Sequence, residues 1–254
     1  MSETPHAGRK EWIGLVVLAL PCLIYAMDLT VLNLAVPKLT KALNPTSVQL
    51  LWIVDIYGFL VAGSLITMGT LGDRIGRRRL LLSGAAGFAV ASLIAAFATS
   101  APMLIFARAL LGIAGGTIAP STLSLIRNMF HDPGERTKAI SVWGTAYAAG
   151  GIAGPLFGGV LLEYFWWGSV FLIAVPVMAL LLIVGPRLIP EYRNPENARL
   201  DVLSAAMATA AVLAVIYGLK QMAQDGFGWP PVLFIVAGIA VGLLFVRREF
   251  TLTD

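Results

Sequence analysis

The chain has 254 residues, 58% of them hydrophobic and 13% charged, with a formal net charge of +4. This balance excludes an ordinary soluble domain, because uncharged apolar runs of eighteen residues or more read as membrane helices. It also argues against nucleic-acid binding: the basic residues sit in short loops between apolar runs, where acidic lipid headgroups are the expected neighbours. The single cysteine, Cys22, lies within an apolar run and can form no internal disulfide.

Residues 1–11 are polar, with Arg9 and Lys10 just ahead of the first apolar run. Eight runs follow, at 13–37, 48–71, 79–99, 102–127, 137–163, 167–187, 201–223 and 230–247. Each can cross a hydrocarbon layer of about 30 Å at about 1.5 Å per residue. The first run lacks a small-residue cleavage site and reads as a retained helix. With the amino terminus inside, fourteen basic residues fall on cytoplasmic segments and three on outer ones, Lys38, Lys41 and Lys220. That asymmetry predicts a multi-pass protein of the cell (inner or plasma) membrane with a cytoplasmic amino terminus. Tryptophans near run ends, such as Trp12, Trp166 and Trp229, suit interfacial anchors. The fold class expected is all-α and integral to the membrane. Residues 1–187 read as a six-helix bundle and 188–200, with two prolines and mixed charge, as a cytoplasmic linker. Residues 201–254 read as two further membrane helices and the start of the following loop.

The first run carries Asp28, Thr30, Asn33 and Pro37. A carboxylate in hydrocarbon costs roughly 2.5–3.5 kcal/mol on insertion scales, so Asp28 is expected to face a cavity or a partner. Thr30 and Asn33 can bond neighbouring helices or a substrate. The second run carries Asp55, placed by residue count at a depth similar to that of Asp28. Burial favours a carboxyl's neutral form and a second nearby acid adds to this, which suits a proton carrier. A structural polar contact is the plainer reading of either acid. Tyr25, Trp52 and Tyr57 are candidate pocket residues for flat cationic molecules, since aromatic faces attract cations.

Between the second and third runs lies Gly69-Thr70-Leu71-Gly72-Asp73-Arg74-Ile75-Gly76-Arg77-Arg78-Arg79. Its glycines permit a tight turn, and Asp73 can bind helix-end amides or an arginine. Its arginines also mark the cytoplasmic side. In the fourth run, Arg108 cannot shed its charge and must be paired or hydrated, so it is expected to bias the protonation of Asp28 or Asp55. In the fifth run, Gly150, Gly154, Pro155, Gly158 and Gly159 predict close helix approach and a bend.

These segments resemble motifs of major facilitator superfamily transporters. The glycine-arginine stretch resembles the signature loop between helices two and three, whose Gly69, Asp73, Arg74, Gly76, Arg77 and Arg78 would form a conformational loop. Asp28 to Pro37 resembles the helix-one motif of the fourteen-helix drug:proton antiporter branch. The segment around Arg108 resembles the helix-four motif, whose arginine is associated with proton transfer. Gly150 to Gly159 resembles the helix-five motif of antiporters. The resemblance implies efflux of lipophilic cations, such as quaternary ammonium compounds, dyes and methyl viologen, in exchange for protons. Asp28, Asp55 and Arg108 would then be the coupling and substrate residues. It also implies that this chain provides the first eight helices of such a carrier, with a carboxy-terminal half as its missing partner. No phosphate loop, metal-spaced His/Cys set or nucleophile elbow occurs, so neither cofactor, metal nor enzymatic activity is expected. A nutrient symporter or facilitator of the same fold, and a non-transporting assembly subunit, remain as alternatives.

Overall fold

A computed structural model describes residues 6–193 and 202–253. The elements are helical: α1 (Arg9–Leu43), α2 (Ser47–Ile75), α3 (Arg77–Ala96), α4 (Ala101–Gly115), α5 (Ile118–Met129), α6 (Pro133–Tyr164), α7 (Ser169–Leu172), α8 (Ala174–Leu188), α9 (Val202–Asp225) and α10 (Trp229–Thr253). They supply eight candidate spans by length and composition, with α4 and α5 forming one span and α7 and α8 another. Each of the eight apolar runs thus maps onto one helical span. Residues 194–200 of the expected linker lie outside the described residues.

Several helices overrun their apolar stretches, α1 and α10 by the most. α1 continues through Pro37 to Leu43, and α10 continues past Arg247 and Arg248 to Thr253. Charge ends a membrane span, but a helix satisfies its own backbone and runs on into water. The residues at 249–253 are therefore helical and not the loop expected there.

Local chemistry sets several corners. Asn44 stops α1 in the left-handed conformation (φ 44°), and its N–H donates to Thr40 O. A capping box starts α2: Thr46 Oγ1 accepts from Gln49 N–H at 3.2 Å while Thr46 N–H donates to Gln49 Oε1 at 3.0 Å. Asp132 Oδ1 caps α6 through Glu135 N–H at 2.9 Å.

Helix α1 lies against α6 and α8, α2 against α4, and α3 against α4 and α8. The core runs through this six-span group, with Leu18, Val31, Ile53, Leu81, Phe88, Leu104, Leu125 and Phe171 fully shielded. Helices α9 and α10 form a hairpin whose α9 lies along α2.

The α1–α6 approach shows why glycine is needed. A Cβ on Gly154 would meet Thr30 Oγ1 and come within 2.9 Å of Met27 O and 3.1 Å of Val31 N. A Cβ on Gly150 would strike the backbone of Leu23. The threonine uses the closeness: Thr30 Oγ1 lies 3.1 Å from both Met27 O and Gly151 O, sharing its one proton between the two helices. Gly158 faces Val31 on the same stripe, four residues on. Gly159 lies off it and meets nothing within 4 Å among the described residues. Pro155 is on the exposed side of α6, which stays helical through it.

Candidate functional site

The site is built where α1, α2 and α4 meet. Arg108, in α4, is 1% exposed and Asp28, in α1, is 6% exposed. Arg108 Nη1 donates to Asp28 Oδ2 at 2.5 Å. Its Nε donates to Ile53 O at 3.1 Å and its Nη2 to Val54 O at 3.5 Å, both on α2. Those carbonyls belong to a continuous helix, so each offers its second lone pair. The guanidinium carbon also sits 4.6 Å from the centre of the Tyr57 ring and 6.0 Å from that of Phe171. The charge is thereby held by a carboxylate, two carbonyls and a π face at once. A lysine has neither the planar fork nor the reach for this set.

Tyr57 is itself fixed: its hydroxyl donates to Tyr25 O at 3.0 Å. From there an aromatic series leads outward. Ring centres of Tyr25 and Tyr57 are 6.4 Å apart, Tyr25 and Tyr147 5.9 Å, and Tyr147 stacks on Trp143 at 6.3 Å. Tyr147 is exposed, so the series connects the buried pair to the surface of α6. Trp143 Nε1 donates to Thr122 Oγ1 at 3.0 Å. Sequence reading missed Tyr147, Trp143 and Phe171. The signal available for the first two was their four-residue spacing, just ahead of the glycine stripe.

The other expected residues divide among several places. Asp55 does not join Asp28 and Arg108. It pairs with Lys220 of α9, in a cleft that also holds Trp52. The shared depth of the two acids was a count along the helices, and it carried no information on which face each occupies. Lys220, counted among the outer charges and inside the seventh apolar run, lies on α9 and is half-buried. Asn33 and Pro37 are exposed on α1.

The glycine-arginine segment is a second cluster, at the far end of α2. Gly76 links α2 to α3 with φ 112° and ψ 133°, a conformation that excludes ordinary side chains. Arg77 Nε donates to Asp73 Oδ1 at 2.8 Å. The first turn of α3 is closed by the segment that follows α8. Arg77 N–H donates to Tyr192 O at 2.9 Å, and Arg78 N–H donates to Glu191 Oε1 at 2.9 Å. Arg78 Nη1 reaches Ile189 O at 2.9 Å and Pro186 O at 3.2 Å, and Arg79 lies 3.8 Å from Glu191. A carboxylate at a helix start satisfies orphan amides and opposes the helix dipole. Arg74 is exposed, and Gly69 meets nothing within 4 Å among the described residues. Glu191 gave no sign in sequence of being this partner, since it sits in a mixed-charge stretch.

The sequence profile of the Major Facilitator Superfamily matches residues 18–247. The chain belongs to the Major Facilitator Superfamily. Within that superfamily it is 48% identical over 247 residues to the "Multidrug efflux pump LfrA" of Mycolicibacterium smegmatis, covering 97% of this chain and 49% of LfrA. It is 38% identical over 241 residues to the "Methyl viologen resistance protein SmvA" of Salmonella typhimurium, covering 94% of this chain and 49% of SmvA. The chain therefore spans about half the length of these relatives. A solved peptide transporter, POT, in complex with sulfate, superposes with a TM-score of 0.67 over 98% of this chain and 54% of POT, at 22% identity. That likeness concerns the superfamily fold. The helical architecture and the superfamily match make this a multi-pass membrane protein of a transporter family.

Proposed function

We propose that this chain is the amino-terminal part of a proton-coupled exporter of lipophilic cations, with Asp28 as the exchanging carboxyl. The observation that carries the reading is the enclosed Arg108–Asp28 pair, joined through Tyr57 and Tyr25 to the exposed face of α6. A cation and Arg108 compete for one carboxylate. Protonation of Asp28 cancels its charge and leaves Arg108 on the α2 carbonyls and the Tyr57 face. Deprotonation restores the pair. Cargo arriving at Asp28 displaces the proton, and cargo leaving readmits it. Support also comes from the efflux and resistance functions named for LfrA and SmvA. Transport needs a second six-helix half to complete the cavity wall.

The arginine count favours a cytoplasmic amino terminus, with the α2–α3 corner on the same side. A maleimide that labels His6→Cys from outside intact cells would reverse that orientation. For the coupling role, the test uses vesicles holding the chain completed by its second half. Asp28→Asn removes the charge and keeps the volume. Proton movement driven by tetraphenylphosphonium should then cease, and exchange at the unsubstituted rate would end the proposal.

A further inference from the structure

Away from the Arg108 site, a cleft of about 160 Å³ opens between α2 and α9. It brings together Trp52, Asp55 and Phe59 from α2 with Tyr217, Lys220 and Gln221 from α9. The Trp52 and Phe59 rings meet edge to face, 6.5 Å between centres at 88°. The Lys220 ammonium pairs with Asp55 and lies 5.8 Å from the centre of the Phe59 ring. Gln221 Oε1 is buried with no hydrogen-bond partner among the described residues. One carboxylate and three aromatic rings thus line a cleft that holds a single cation, and that cation is part of the chain.

We propose that this cleft is a second cation-binding site, in which Lys220 is a tethered occupant that a lipophilic organic cation displaces from Asp55. The choice of ligand class rests on the function proposed above. The asymmetry of the pair supports displacement. The Asp55 side chain is 13% exposed and fixed in the wall, whereas that of Lys220 is 36% exposed. Lysine ends a flexible four-carbon stem and is strongly hydrated, so it can swing to the mouth and find water there. An organic cation gives Asp55 the same charge and also covers the rings, which a hydrated ammonium covers poorly.

The alternative is that the ion pair merely straps α9 to α2. That fastening already exists elsewhere on the two helices. Thr209 Oγ1 donates to Gly63 O at 2.6 Å, and Leu213 lies against the same glycine. The hairpin is therefore docked without the pair.

The test uses the 254-residue chain in lipid nanodiscs with tetraphenylphosphonium as probe, read by equilibrium dialysis against empty nanodiscs. Lys220→Met should tighten binding about tenfold, and Asp55→Asn in the same background should abolish that gain. Unsubstituted protein gives a readout that needs no variant to fold. Because the ligand frees Lys220, saturating tetraphenylphosphonium should speed acetylation of Lys220 severalfold. Unchanged affinity in Lys220→Met, or unchanged or slower acetylation, would overturn the proposal. Asp28→Asn separates the two readings. Binding lost in Asp28→Asn and unaffected by Lys220→Met removes this site and leaves the exporter reading standing. A gain in Lys220→Met, beside vesicle exchange that survives Asp28→Asn, does the reverse.

Discussion

Arg108 and Asp28 face one another at 2.5 Å in the interior of the bundle, and the guanidinium takes its remaining support from α2. Such a pair is costly to desolvate, and its members depend on each other. Arg108→Ala should destabilise the chain by about 3–5 kcal/mol, because Asp28 is left charged and unpaired. Joint replacement of Arg108 and Asp28 by leucine should cost less than Arg108→Ala. Arg108→Lys should fall between wild type and alanine, since one point charge replaces a fork. Unfolding in mixed micelles ranks the variants, and an additive double variant contradicts the coupling.

The glycine stripe on α6 makes a position-specific prediction. Gly154→Ala puts a methyl against Thr30 and the backbone of α1, and should cost more than about 2 kcal/mol through overpacking and a broken Thr30–Gly151 bond. Gly159→Ala meets open space and should stabilise the helix by about 0.5–1 kcal/mol. Thermal unfolding in detergent checks both. Equal losses would mean that α1 does not approach α6 along this stripe.

Tyr57 offers two separable contributions. Tyr57→Phe removes the hydroxyl's bond to Tyr25 O and should cost about 1 kcal/mol. Tyr57→Leu also removes the ring beneath Arg108, and should cost about 1–2 kcal/mol more. The same unfolding assay measures the step between the two variants. No difference between them would mean that the ring does not hold the guanidinium.

Glu191 closes the start of α3, so Glu191→Gln should speed hydrogen exchange at the Arg78 amide. The Arg77 amide, bonded to Tyr192 O, should change less. The global cost should stay near about 1 kcal/mol, because the side-chain pairs with Arg78 and Arg79 are long and partly solvated. Exchange read residue by residue by NMR decides this, and an unaltered Arg78 rate would deny the cap.

Much of the fold was legible because apolar runs in a membrane have few alternatives to the helix. The eight spans, the need of Gly150 and Gly154 for close approach, and the need of Arg108 for a partner all follow from what lipid forbids. Partner choice between distant helices was not legible. Asp55 and Asp28 look alike as acids at matched depth, yet Asp55 turns toward α9 because α2 presents Ile53, Val54 and Tyr57 to Arg108. Glu191 and Tyr192 were hidden for a related reason: a polar stretch does not reveal which helix end it will close. The ends of α1 and α10 were misjudged because hydrophobicity marks the lipid boundary and hydrogen bonding marks the helix boundary.

Helix α2 is gripped near both extremities by one continuous stretch of chain. Glu191 and Tyr192 hold its Gly76 corner through α3, and Lys220 holds Asp55 nearer its other end. Any lean of α2 within the bundle must therefore tow the α9–α10 hairpin along or prise one grip apart. The α9–α10 hairpin is in this sense harnessed to a single strut.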